Sequence, residues 1–532
     1  MSLKVCDYGS ILARLLVDWS PDDLTSQLSE VDSAIARLSE RSRELREWQM
    51  NAKKPFFSLP AEIISEISMM ACSPVYKASD VDDFVMSTQP TTPFILGKTC
   101  RTWRHIVWAS PRCWNIIFLD LQRNAETYQV QVALLEGWLA RSGDLPLSIH
   151  LDELEAEPEQ WAQNPPTEVF NLLSRYSHRW LHVSTFLVDP CWKQLEKFPL
   201  PLLTSLAVGP PANIQQAAGN GASWRISDAP LLRNAYITVF HKEIILPTHQ
   251  LTQITLESMV WRDCLSIISE SAPKLVHCAL PDLKPELVHG TTPATFNLHC
   301  LSSFSASCPH TGEYSPVLRI LDCITAPALS RMQLQYDGIS GTEPLMAVRD
   351  FLSRSSCSLC ELSLHLVQYM HQNEPSLIAL LADMEKLEKL DLICEMEGMS
   401  DLILDHLNPA RPQRLPRHLP AAQILLPNLR GFHYNGLMEF ELGTLVDMID
   451  MRYRMAKDSE ERLGLRSEGD RNLVAKPAVF NINVLEVVPS GKRASLLASA
   501  ETLERLRREH SGTTWSFSDE MGRARVYISL KD

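Results

Sequence analysis

Residues 359–366 read LCELSLHL. Leu359, Leu362 and Leu364 follow the spacing Leu-x-x-apolar-x-apolar, whose last two apolar positions alternate with other residues as on a strand with one buried face. The same spacing occurs at Leu203/Leu206/Val208, Leu232/Ala235/Ile237, Leu251/Ile254/Leu256, Leu275/Cys278/Leu280 and Leu301/Phe304/Ala306. It continues at Leu329/Met332/Leu334, Leu387/Leu390/Leu392 and Leu429/Phe432/Tyr434. The starts at 251, 275, 301, 329, 359 and 387 lie 24, 26, 28, 30 and 28 residues apart.

That step is similar to the period of about 20 to 29 residues in leucine-rich repeats. Between templates run helix-like stretches such as CLSIISESAPKL, LMAVRDFLSRSS and SLIALLADMEKL. The pairs Ala229-Pro230, Ala272-Pro273 and Ala326-Pro327 read as corners from helix to strand, because proline does not continue a helix. The expected fold class is therefore α/β: an N-terminal helical region followed by a leucine-rich-repeat-like solenoid over 171–532. A protruding loop is expected at NPARPQRLPRHLP (408–420), and a charged excursion at 455–475. NINVLEVV, the helical SAETLERLRREHSG and RARVYISL would make the last repeat and its cap.

At 532 residues the chain exceeds one ordinary compact domain. Its composition, 45% hydrophobic and 21% charged, is that of folded protein, and its formal net charge of −14 argues against nucleic acid or an anionic membrane as principal partner. No stretch approaches the ~20 consecutive apolar residues of a membrane span. The opening MSLKVCDYGS does not read as a secretory signal, and the 13 cysteines are scattered, so reduced thiols in the cytoplasm, the nucleus or both are expected.

Upstream, 1–19 forms a terminal segment. Ser20 and Pro21 suit the start of a helix over 20–51. In it Leu24, Leu28, Val31, Ile35, Leu38, Ser42, Leu45 and Gln49 recur at alternating steps of four and three, an a/d heptad seam. The expectation is a brace packed within its own chain, leaving a monomer apart from any complex; dimerisation is the alternative. Next, FFSLPAEIISEISMMA (56–71) reads as a short amphipathic helix with Ser58 as cap and Ile63, Ile64, Ile67 and Met70 on one side. After the polar loop 73–93, a second helix is expected to carry Leu96, Cys100, Trp103, Ile106 and Val107 on one face until Ser110-Pro111.

LPAEIISEI (59–67) followed by LGKTCRTWRHIVWASPRCWNII (96–117) resembles the F-box of basidiomycete-type F-box proteins. The resemblance covers 56–118, lengthened by the loop at 73–93, and 119–170 is expected as a helical connector. It implies docking of a Skp-type linker protein and, through it, of a cullin-RING ubiquitin ligase. Leu59, Pro60, Glu62, Ile63, Ile67, Leu96, Cys100 and Trp103 would carry that contact, and the repeats would hold a protein substrate.

Signals for catalysis are weak. CSLC (357–360) has metal-type spacing without a second pair, and Cys360 falls inside a template. His178 and His182 in HRWLH stand four apart without the glutamate or third ligand of a zinc protease. Glycine-rich phosphate loops and the hydrolase GxSxG are absent from the sequence. The expected function is thus a non-enzymatic substrate adaptor needing no cofactor. A binding scaffold outside ubiquitin transfer and, more remotely, a metal enzyme built on those His and Cys are the alternatives.

Overall fold

All 27 template positions are buried, and the last two of each triplet lie on nine strands of one 15-stranded sheet. The structure, a computed structural model, describes residues 21–51, 59–72, 75–76, 86–88, 92–120, 125–152, 166–186, 198–209, 224–226, 228–238, 244–285, 294–308, 315–336, 342–367, 369–410, 425–463, 479–487, 513–520 and 523–531. They divide into two units, one holding residues up to 72 and 92–113, the other 75–76, 86–88 and everything from 114. The expected terminal segment 1–19, Ser20, Ser58, the loop 411–424 and the helix at 499–512 lie outside the described residues.

The first unit is helical: α1 (Pro21–Asn51), α2 (Ala61–Cys72), α3 (Pro93–Thr99) and α4 (Arg101–Ala109). α1 matches the expected heptad helix, but its seam is not covered as a brace requires: Leu28, Ile35, Leu38 and Leu45 all stand half exposed. The single helix expected around Cys100 is two helices. Thr92 caps α3 with Pro93 in its first turn, and Cys100, in extended backbone, ends α3 and caps α4 by accepting the Trp103 N–H at 3.4 Å.

The second unit contains strands β1 (Ile116–Asp120), β2 (Leu147–Asp152), β3 (Trp180–Phe186), β4 (Ser205–Gly209), β5 (Asn234–Thr238), β6 (Gln253–Glu257), β7 (His277–Leu280) and β8 (Ser303–Cys308). They are followed by β9 (Arg331–Tyr336), β10 (Glu361–Leu366), β11 (Lys389–Met399), β12 (Gly431–Met438), β13 (Val479–Val487), β14 (Thr513–Glu520) and β15 (Arg523–Lys531). From β1 to β13 each strand pairs in parallel with the next in sequence. β15 then pairs antiparallel with both β13 and β14 and finishes the sheet. Parallel neighbours need a return path between them. It is helical at α5 (Ala125–Arg141), α6 (Thr167–Ser174), α7 (Trp261–Ser271), α8 (Pro316–Cys323), α9 (Glu343–Ser355), α10 (Glu374–Ala382), α11 (Asp401–Leu407) and α12 (Leu442–Leu463). Elsewhere two-residue strands contribute, Trp224–Arg225 with Ile244–Ile245 and Phe296–Asn297 with Ile324–Thr325.

Several boundaries differ from expectation. Residues 119–170, expected as a helical connector, hold the strand-helix alternation β2, α5 and α6, so the sheet begins at Ile116 rather than near 171, and the first helical unit ends at Cys113 rather than 118. The early strands hide a variant template, Trp114-x-x-Ile117-x-Leu119 and Trp180-x-x-Val183-x-Thr185, with buried tryptophan in the leucine place. Residues 455–463 continue α12 instead of forming an excursion. The loop 73–93 contains an antiparallel pair, Val75–Tyr76 with Met86–Thr88.

The Ala-Pro corners have a different cause from helix termination. The template leucine donates its N–H to the carbonyl three residues earlier: Leu203 to Leu200 (3.2 Å), Leu232 to Ala229 (3.1 Å), Leu329 to Ala326 (3.2 Å) and Leu429 to Leu426 (3.1 Å). Pro201, Pro230, Pro327 and Pro427 each occupy the second place of that four-residue turn, whose backbone angle the ring presets. Only Ala272 ends a helix, as the C-cap of α7.

One buried charge closes the far end. Arg452 of α12 is wholly buried and donates from Nε to the Leu407 carbonyl (2.9 Å), from Nη1 to Leu426 (3.0 Å) and from Nη2 to Leu425 (2.7 Å). It thereby joins the end of α11 to the turn before β12. Burial lowers its pKa to about 10, so it remains charged at neutral pH.

Two stability outcomes follow. Leu362→Ala and Leu390→Ala should each cost about 2 to 5 kcal/mol through lost transfer and a residual cavity, whereas Gln333→Ala on the exposed side of β9 stays within about 0.5 kcal/mol; equal denaturant midpoints for all three would refute the assigned faces. Arg452→Ala leaves three carbonyls without their donors and should cost about 3 kcal/mol or more in the same titration.

Candidate functional site

The helices α2, α3 and α4 close a small core of their own. In α2 the residues facing it are Ile64, Ser68 and Cys72, spaced by four. Pro93 and Gly97 of α3, Val107 of α4 and Cys113 complete it. Gly97 lets the indole approach closely, because a Cβ at that position would stand 3.2 Å from the Trp108 indole nitrogen. Arg104 lies over the Trp108 ring at 5.7 Å and donates to the Gly97 carbonyl at 2.9 Å. Ser65 and Ser110 bond through their hydroxyls at 2.9 Å, and Arg112 pairs with Glu66 at 2.7 Å. The Cys72 and Cys113 thiols hydrogen-bond each other, which raises the pKa of Cys72 and lowers that of Cys113.

With Ile64 turned inward, the other apolar residues of α2 are left outward. Ile63 is 45% exposed and Met70 72%, with half-buried Ile67 between them at helical spacing. Ile95 on α3 (55%) and Trp108 on α4 (41%) are also exposed. Of the residues assigned to this dock from sequence, Pro60 and Glu62 are exposed and Leu59, Leu96, Cys100 and Trp103 half-buried. Pro60 starts α2, its carbonyl accepting the N–H groups of Ile63 (3.1 Å) and Ile64 (3.2 Å). Cys100 acts as the cap of α4. Met70, Ile95 and Trp108 were not among the expected dock residues. Met70 was visible as the seventh residue from Ile63, whereas Ile95 and Trp108 depend on the break at Cys100.

A second surface lies on the open side of strands β8 to β12. Because the buried residues are in register, so are their neighbours: Ser305, Gln333, Ser363, Asp391 and His433 form one row, and Arg331, Glu361 and Lys389 another. These rows line a groove of about 440 Å³. Asp391 is its hub, accepting from His433 Nδ1 at 2.7 Å and from the Ser363 hydroxyl at 3.1 Å. Lys389 faces Glu361 at 3.5 Å, and His365 meets Glu395 at 2.7 Å. The hydrogen bond to Asp391 holds the His433 pKa above its ordinary value, against the opposing effect of burial.

The candidate metal residues sit apart. Cys357 and Cys360 are free, half-buried thiols; His178 is exposed, and His182 on β3 has its pKa lowered by burial. Among the described residues, no group of three or more His, Cys, Asp or Glu side chains is placed to hold a metal ion, and no helix is long and apolar enough to cross a membrane. No protein-family model matches the chain, and neither does any curated protein.

The Asp391–His433 pair sets a pH dependence. A histidine whose pKa is raised on folding adds stability that is fully present below its unfolded value of about 6.5 and is lost as pH rises through the raised value. The unfolding free energy of the native chain should therefore fall as pH rises above about 6.5 by more than that of His433→Gln. Parallel curves for the two proteins would contradict the assignment.

Proposed function

We propose that the chain is a substrate-recognition adaptor, with α2 to α4 forming an F-box that docks a Skp-type linker and, through it, the cullin of a ubiquitin ligase. The observation that carries this reading is that Ile63 and Met70, with half-buried Ile67 between them, stand outward on α2, as Ile95 does on α3 and Trp108 on α4, while the core these helices share is already filled. A small soluble unit does not ordinarily keep so many large apolar side chains outward unless a partner covers them. The F-box-like order of the sequence supplies the kind of partner.

The second half of the proposal treats the strand-and-return units as a leucine-rich-repeat-like solenoid whose open side receives a protein substrate in the cytoplasm or nucleus. The polar rows around Asp391 support that use, since hydrogen-bonding groups repeated across five strands suit recognition of an extended surface. The chain itself would catalyse nothing; ubiquitin transfer belongs to the other subunits.

The test is binding to a purified Skp-type linker. Ile63→Asp and Met70→Asp, both at exposed positions, should each weaken binding by about 2 kcal/mol, roughly thirtyfold, with circular dichroism unchanged. Wild-type affinity in both variants would remove the dock. A chain that binds linker but brings down no cullin would favour a scaffold outside ubiquitin transfer.

A further inference from the structure

α1 is 31 residues long, and its heptad seam is outward: Leu28 is 57% exposed, Ile35 55%, Leu38 50% and Leu45 52%. Isolated helices draw little stability from propensity alone and rely on burying an apolar face. Two ion pairs form within the helix, Arg41 with Glu44 at 2.7 Å and Arg43 with Glu40 at 2.6 Å. The flanks of the seam decide what covers it. With Leu28, Ile35 and Ser42 at heptad position a and Val31, Leu38 and Leu45 at d, the flanking e positions are Asp32, Ser39 and Arg46, and the g positions are Ala34 and Arg41.

We infer that α1 pairs with α1 of a second copy of this chain as an antiparallel coiled coil. In a parallel pair g faces the partner's e in the following heptad, which sets Arg41 against Arg46 twice. Turned antiparallel, e faces e. In the register where Leu28 meets the other copy's Leu45 and Ile35 meets its Leu38, each Asp32 lies one turn and a fraction from the opposite Arg46. Helical side chains lean toward their own N-terminus, so these two converge, and the contact occurs twice by symmetry. Arg41 then faces the other copy's Ala34, and no like charges oppose. Both Asp32 and Arg46 are exposed and available. The pairing is independent of the linker dock, which uses other helices.

Sedimentation of the full-length chain over a range of concentrations tests the pairing. The intact chain should reversibly form two-copy particles, and a chain beginning at residue 52 should remain single. Asp32→Arg and Arg46→Asp should each raise the dimer dissociation constant about fivefold or more, and the double variant should return it toward the native value, which a merely unfolded helix would not do. A single-copy intact chain, a dimer that survives removal of 1–51, or tighter pairing in Arg46→Asp, as a parallel coil requires, would each overturn the inference.

Discussion

The continuous row of apolar side chains Ile117, Ile149, Val183, Leu206, Ala235, Ile254, Cys278, Phe304, Met332, Leu362, Leu390 and Phe432 governs the larger unit, each residue being the direct cross-strand partner of the next. A side chain on a strand faces the side opposite its neighbour, so a slip of one residue anywhere would expose the buried set and bury the polar one. Burying a residue of this size is worth about 1.5 to 3 kcal/mol, and the row therefore fixes register strand by strand. The polar groove inherits its order from this: Asp391 can accept from both Ser363 and His433 only because Leu362, Leu390 and Phe432 are already aligned beneath them.

The sheet was legible because its signal is purely periodic. Every template found by spacing landed in the core, and two of the strands that escaped detection, β1 and β3, did so for a chemical reason. Trp114 and Trp180 fill the leucine place with an indole, which a search for leucine passes over although the volume serves the same packing role. The recurrent proline was seen but assigned the wrong cause, since its effect on the second place of a turn is invisible until the hydrogen bond from the template leucine is known. In the helical unit, amphipathicity alone gave Ile63 and Ile64 the same side. Which of two adjacent isoleucines turns inward depended on α4 and Cys113, and that is tertiary information.

Long-range polar contacts were the least legible of all. Arg452 stands just before the charged stretch 455–475 and is wholly buried against carbonyls 26 to 45 residues away. Arg179 repeats the device near the other end of the sheet, donating to the Leu145 carbonyl at 2.7 and 2.9 Å and to the Ser142 hydroxyl at 2.7 Å. In both cases burial lowers the arginine's pKa. Chain ends of helices and turns leave carbonyls without intrahelical partners. A planar guanidinium with several donors satisfies two or three of them at once, whereas lysine offers one point charge. Sequence records the arginine but not the orphan carbonyls that draw it inward.

The two candidate surfaces differ in kind, and the difference bears on the proposed adaptor role. The outward residues of α2 to α4 are apolar and sit on short helices around a filled core. Binding there would draw on desolvation of a few large anchors, as in interfaces dominated by a few residues. The groove on β8 to β12 is close to balanced in charge, with Arg331 and Lys389 beside Glu361 and Asp391, although the chain as a whole carries −14. A balanced, hydrogen-bonded surface attracts little by its overall field. It discriminates through the pattern of donors and acceptors, because a partner that leaves Asp391 or Glu361 desolvated and unpaired is penalised more than a matching one is rewarded. Constant engagement at the apolar helices and selective engagement at the polar strands is the division that an adaptor joining one fixed partner to a chosen one requires.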